Sequence, residues 1–257
     1  MNITISDSYE DKNSIIHRLD PRTKIICLIL FIFVVALTPP LRFLEFCAYA
    51  VLLISLTLIS KLSLLKTAKK ALAIIPFVLL VAIFLPFLKE GNVIYSFNVY
   101  SLKVSVTDAG LIALWNSFIK SLLSITSMII LTSTTSFPEI MHGLQKLRAP
   151  KIIVMLISFM YRYIFVLVNE VQALQISWHS RYFGKKFLRQ ISITGIILGS
   201  LFIRTYEKSE RIFLAMSSRG YEGEIKTIEQ LRPGVPDAIF SSCFIIFISL
   251  VKVLNFI

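Results

Sequence analysis

Residues 25–38, IICLILFIFVVALT, pass without a single charged side chain, and stretches nearly as apolar follow at 43–60, 71–88, 109–135, 151–174 and 238–257. Crossing the hydrocarbon of a bilayer takes about 20 such residues. Inside it, every backbone N–H and C=O must find a partner within the chain, which leaves helices for segments of this length. With 56% hydrophobic residues and 20 phenylalanines among 257, the composition excludes an ordinary soluble domain. The expected class is an all-α polytopic membrane protein with about five transmembrane helices and a helical cytoplasmic coupling region.

The opening stretch, MNITISDSYEDKNSIIHRLDPRTK, holds four acids and lacks the basic n-region, apolar core and cleavage site of a secretory signal, so its retention is expected. Asp20 before Pro21 predicts an N-cap followed by an N1 proline, with the first span over 22–38. Pro39-Pro40 breaks it, and 43–60 returns. A third span is expected over 71–88, with Pro76 and Pro86 as kinks or ends, and a fourth over 109–135. Residues 61–70 carry four lysines and no acid, whereas 89–108 carry two lysines and two acids. The lysine-rich loop therefore belongs inside, which places the N-terminus in the cytoplasm.

Residues 151–174 are apolar enough for a further crossing. That crossing would export 179–232, a stretch with ten basic residues and five acids, against the charge bias. The reading preferred here lays 151–180 in or under the inner leaflet, with Arg162, Asn169 and Glu170 on its polar side. One or two amphipathic helices are expected over 187–218, with Phe202, Tyr206, Phe213 and Met216 sharing an apolar side and Glu207 and Arg211 forming an i,i+4 pair. The resulting division is a membrane region at 1–135, coupling helices at 136–237, and a closing span at 238–257. No internal repeat of the kind that builds many secondary transporters is evident.

Catalytic or metal chemistry in the spans should announce itself as charged or ligating residues. Glu45 and Lys120 are isolated in sequence, and Lys120 is expected to snorkel outward or pair within the bundle. Cys27, Cys47 and Cys243 lack metal or disulfide spacing and are expected to be small buried hydrophobes. His17, His142 and His179 lie in separate segments. Nucleotide-binding, protease and hydrolase motifs are absent, so no enzyme activity, metal, cofactor or nucleic-acid partner is expected of this chain.

What remains are two basic stops, Ser180-Arg181-Tyr182 and Ser218-Arg219-Gly220. A cation at a helix C-terminus offsets the partial negative charge there by about 0.3–1 kcal/mol. The sharper reading has Gly220 end its helix in a left-handed turn, with Arg219 projecting its five-donor guanidinium into a partner.

HRLDPRTKI (17–25), FMYRYIFVLVNEVQAL (159–174) and LFIRTYEKSERIFLAMSSRGYEG (201–223) resemble the transmembrane T component of energy-coupling factor transporters, specifically its cobalt-type CbiQ branch. The resemblance implies a prokaryotic plasma-membrane scaffold whose coupling helices end in Ala-Arg-Gly-like motifs docked on ABC-type ATPases, either two copies of one chain or a heterodimer. It also implies a substrate-binding membrane S component packed against the scaffold. On that basis Ser180, Arg181, Ser218, Arg219 and Gly220 are the coupling residues, with Tyr182 in the glycine's place at the first tip and a glycine displaced to Gly184. ATP would be bound by the partner ATPases alone. Cobalt is the expected cargo; nickel, biotin or another vitamin are alternatives, as are a stand-alone divalent cation permease and, more remotely, a membrane enzyme.

Overall fold

A computed structural model describes residues 14, 16–40, 42–88, 92–99, 102–180, 187–221, 223 and 234–254. The described chain falls into two units, one of residues 14–143 with 234–254 and one of residues 144–223. The fold is helical, with one small antiparallel hairpin.

In the larger unit, α1 (Pro21–Leu37) starts where Asp20 accepts a hydrogen bond from the Arg22 amide at 3.0 Å, with proline at the first helical position. α2 (Phe43–Ile59) returns after the Pro39-Pro40 break. α3 (Leu64–Ala82) begins before residue 71 and takes Lys66, Lys69 and Lys70 into its first two turns. The reason lies in Leu64, Thr67, Ala68 and Ala71, which continue the helical stripe facing Leu122, Leu123 and Thr126 of α5 (Asp108–Thr134). Pro76 sits inside α3 and Pro86 in the short α4 (Leu85–Leu88).

The segment expected to be a polar loop contains β1 (Val93–Val99) paired with β2 (Leu102–Thr107). Its end is tied to α4 by the Thr107 hydroxyl, which donates to the Pro86 carbonyl at 3.2 Å. At Gly110 a Cβ would meet the Pro86 Cα at 2.4 Å, so only glycine allows α4 and α5 this close. A short α6 (Phe137–Lys146) follows α5. α9 (Val235–Leu254) completes the unit.

The core lies among α1, α2, α5 and α9, where Phe31 meets Tyr49 edge to face at 5.8 Å and Phe244 at 6.3 Å. The outside is as apolar as the inside. Phe33, Leu37, Leu65, Phe77 and Ile246 are all more than 60% exposed, a surface that water would penalise and hydrocarbon accepts. Asp108–Thr134, Lys151–Trp178 and Val235–Val253 are long and apolar enough to span, and Phe43–Ile59 is a shorter apolar helix. The chain is a multi-pass membrane protein. Cys47 and Cys243 lie on this exposed surface instead of being buried; only Cys27 is in the core.

One end of this unit is polar and closed. Asp237, 5% exposed in the first turn of α9, accepts from the Gly234 amide (2.8 Å), the Asp20 amide (2.7 Å) and the Thr23 hydroxyl (3.4 Å). Its reach back to Gly234 is half of a capping box, and its bond to Asp20 fastens the starts of α1 and α9 together. Lys24, also buried, donates to the Thr134 carbonyl at the end of α5, to the Thr135 hydroxyl and to the His17 carbonyl, all within 3.2–3.3 Å.

Replacing Asp237 with alanine strands the buried Asp20 amide, at a cost of about 1–3 kcal/mol. In detergent the variant should melt below the wild type, with Asp237→Asn in between because it keeps one acceptor oxygen. Unchanged melting of the alanine variant would show that this junction carries no stability.

Candidate functional site: two helix tips with arginines

The smaller unit is made of α7 (Lys151–His179) and α8 (Phe187–Ser217). Glu170 of α7 pairs with Arg204 of α8 at 2.9 Å. Both groups are partly solvated, so this pair sets register more than stability, in the range of about 0–1 kcal/mol. A groove between the two helices surrounds the pair and is lined by Glu207, Lys208 and Arg211. Arg211 does not pair with the Glu207 carboxylate; its Nε donates to the Glu207 backbone carbonyl at 3.3 Å. Phe202, Tyr206 and Phe213 are all exposed on α8.

The end of α8 is specified in detail. Gly220 has φ +78°, its amide donates to the Ser217 carbonyl at 3.0 Å, and the Tyr221 amide reaches the Met216 carbonyl at 3.1 Å. These two bonds, closing back across a left-handed residue, make a Schellman motif with Gly220 at C′. The Ser218 hydroxyl donates to the Leu214 carbonyl at 2.9 Å. With the terminal carbonyls met in this way, Arg219 is not needed as a cap. It is exposed, and no ion pair forms with it among the described residues.

Tyr221, not singled out from the sequence, fixes where this tip points. The left-handed turn directs it back onto α7, where its hydroxyl donates to the Met155 sulfur at 2.8 Å and its ring lies edge-on to Phe159 at 6.5 Å.

The end of α7 repeats part of this design. Ser180 caps the helix, its amide and its hydroxyl both bonding the Ile176 carbonyl, at 3.1 and 2.9 Å. Arg181, Tyr182 and Gly184 lie outside the described residues. Ser180 and Ser218 thus hold the same place, one residue before an arginine, with the hydroxyl bonded four residues back. Because Tyr221 touches α7 at Met155 and Phe159, the two tips are separated by 21–25 residues of α7, or about 30–40 Å of helix.

Other sequence candidates have different occupations. Glu45, fully buried, pairs with Arg42 at 2.8 Å and lies 3.5 Å from the Tyr49 hydroxyl. Lys120 donates to the Ala36 carbonyl at 2.7 Å, pairing within the bundle at the last turn of α1. His17 bonds Ser14 at 2.6 Å. Among the described residues no three His, Cys, Asp or Glu side chains converge on a point where a metal ion would sit.

The profile of the family described as Cobalt transport protein, CbiQ, matches residues 12–229. The chain belongs to that family. The match takes in Lys24, Ser180 and the Ser218-Arg219-Gly220 turn, and stops short of Asp237. An uncharacterized protein of Methanocaldococcus jannaschii is 27% identical over 91% of this chain and 80% of its own length. The energy-coupling factor transporter transmembrane protein EcfT of Listeria innocua is 29% identical over 84% of this chain and 83% of its own. A protein of Methanocorpusculum labreanum with the provisional name fused cobalt transport protein CbiMQ is 29% identical over 74% of this chain, which spans only 32% of that longer protein.

A Cβ at Gly220 would meet nothing within 4 Å, so Gly220→Ala tests the backbone alone. A left-handed alanine costs about 1–2 kcal/mol, which corresponds to a roughly 5–30-fold rise in local opening. Amide hydrogen exchange over 216–221 should accelerate by that factor. Unchanged exchange would mean that the Schellman turn does not hold the tip.

Proposed function

We propose that this chain is the T component of an ATP-driven energy-coupling factor importer, a non-catalytic scaffold that passes ATPase motion to a substrate-binding membrane subunit. The observation that carries this reading is the pair of serine-arginine helix ends set far apart on α7 and α8. At the described tip, Arg219 is solvated and not consumed by capping. A guanidinium never loses its charge and presents a fixed fork of donors, which suits docking on carboxylates or carbonyl oxygens of a moving partner. A separation of about 30–40 Å along α7 favours two docking surfaces over one, and hence two ATPase subunits.

In this mechanism ATP binds only between the partner subunits, whose closure draws the two tips relative to each other. Arg181 and Arg219 hold one coupling helix each, and Tyr221 and the Glu170–Arg204 pair are the contacts about which the angle between α7 and α8 changes. The change in angle tilts the substrate subunit as a rigid body. Residues 136–237 form the coupling region between a membrane part at 1–135 and a closing span at 238–257. The N-terminus and both tips lie on the cytoplasmic side, a placement supported by the lysine excess of 61–70. Cobalt is the proposed cargo, on the strength of the family's description and the fused relative's name.

Charge reversal at a desolvated contact costs on the order of 2–5 kcal/mol, enough to lower coupling about thirtyfold or more. Arg219→Glu and Arg181→Glu should each abolish ATP-dependent cobalt uptake and co-purification of the ATPase, while membrane levels stay at wild type. Wild-type uptake with both arginines reversed contradicts the assignment. Uptake of nickel or a vitamin but not cobalt, lost in the same variants, would keep the mechanism and replace the cargo.

A further inference from the structure

Helix α6 closes as α8 does, but with an arginine in the glycine's place. The Arg148 amide donates to the Gln145 carbonyl at 3.3 Å and the Ala149 amide to the Leu144 carbonyl at 3.1 Å, which puts Arg148 at the C′ position of a Schellman motif. Its φ is +68°, a conformation in which a Cβ crowds the neighbouring carbonyl and glycine would be easier. The attraction of a cation to a helix end is smaller than that penalty. Lys61 holds the same place at the end of α2, with φ +55°, but it also interacts elsewhere within the chain. Arg148 is exposed, and no ion pair or side-chain hydrogen bond forms with it among the described residues.

The position of this turn gives the arginine a use. Residues 144–150 belong to the smaller unit. Glu170 meets Arg204 and Met155 meets Tyr221, so α7 and α8 run antiparallel and the end of α8 lies against the first turns of α7. Met155 is only about 6 Å of helix from Lys151, and Pro150 just before it starts α7, its carbonyl accepting from the Ile153 and Val154 amides at 3.1 and 3.2 Å. Arg148 and Arg219 therefore occupy the same end of this unit, each on a helix stop fixed by its own backbone bonds. Lys146, exposed in the last turn of α6, adds a cation. No Asp or Glu occurs from 140 to 169, so neither the turn nor the first half of α7 places a carboxylate among them.

We infer that Arg148 is a second docking arginine, and that the α6–α7 turn and the α8 tip form one basic surface for carboxylates on the ATPase beside the socket of Arg219. This rests on the docking proposed for Arg219 and widens it from a single side chain to a surface. Two guanidinium forks held on rigid turns suit carboxylates held at a set spacing in a folded protein. Mobile lipid headgroups would gain nothing from that spacing.

The test titrates the full chain in nanodiscs with the ATPase that co-purifies with it from native membranes. Arg148→Gly removes the side chain at a position where glycine is the easier residue, so amide exchange over 144–150 should be unchanged or slower. Affinity for the ATPase should nevertheless fall about tenfold or more, and the remaining binding should depend less on salt than that of the wild type. Arg148→Lys, which keeps the charge without the fork, should lie between the two. Wild-type affinity and salt dependence in Arg148→Gly, with binding lost in Arg219→Glu, would overturn the role of Arg148 and leave the Arg219 tip standing. Binding unaffected by Arg219→Glu, or no ATPase recovered with the wild type, would overturn the docking reading and this surface with it. A loss of phosphatidylglycerol retention in Arg148→Gly, with ATPase affinity intact, would assign the arginine to lipid and also overturn the proposal.

Discussion

A helix that ends in apolar surroundings exposes four N–H groups or four carbonyls with no water to meet them, and this chain answers that problem with one named side chain after another. Asp20 opens α1, Asp237 opens α9 and fastens it to α1, Lys24 reaches the end of α5, and Lys120 reaches the end of α1. Asp20, Asp237 and Lys24 are buried, where a charge is costly unless paired, and Lys120 is partly exposed. Here each does the work of a cap at a junction, which explains why ionisable residues persist in so apolar a molecule.

Helices α7 and α8 follow the same rule with a different outcome. Ser180 and Ser218 turn their hydroxyls onto carbonyls four residues back, and the Gly220 turn meets those nearer the end of α8. With the backbone satisfied locally, Arg219 is exposed and not needed as a cap. The larger unit is tied by buried side chains at its helix ends, whereas among the described residues α7 is joined to α8 and its tip by a partly solvated ion pair, a tyrosine–methionine hydrogen bond and an aromatic contact.

Much of this was legible from local signals. Asp20-Pro21 predicted the start of α1, Gly220 predicted the left-handed stop, and the apolar runs located the main helices. Long-range partners were not legible. Lys24 meets Thr134 across 110 residues and Lys120 meets Ala36 across 84, and no spacing rule connects such positions. The hairpin was missed because 89–108 was judged by its charge, although VIYSFNV and LKVSV alternate β-branched and aromatic residues with polar ones at the period of a strand. α3 starts earlier than the lysine-rich composition of 61–70 suggests because Lys66, Lys69 and Lys70, at i, i+3 and i+4, fit one face of a helix. Glu207 and Arg211 have the right spacing for an ion pair, but a solvated arginine gains as much from a nearby carbonyl.

The central claim is that the tip of α8 delivers force to a second polypeptide. It is tested most directly by placing a photo-crosslinking amino acid at position 219 in native membranes and identifying what it captures. The account predicts one dominant adduct, with a nucleotide-binding ATPase subunit, formed from the cytoplasmic side. An empty tip, or one captured or labelled only from outside the cell, would contradict it.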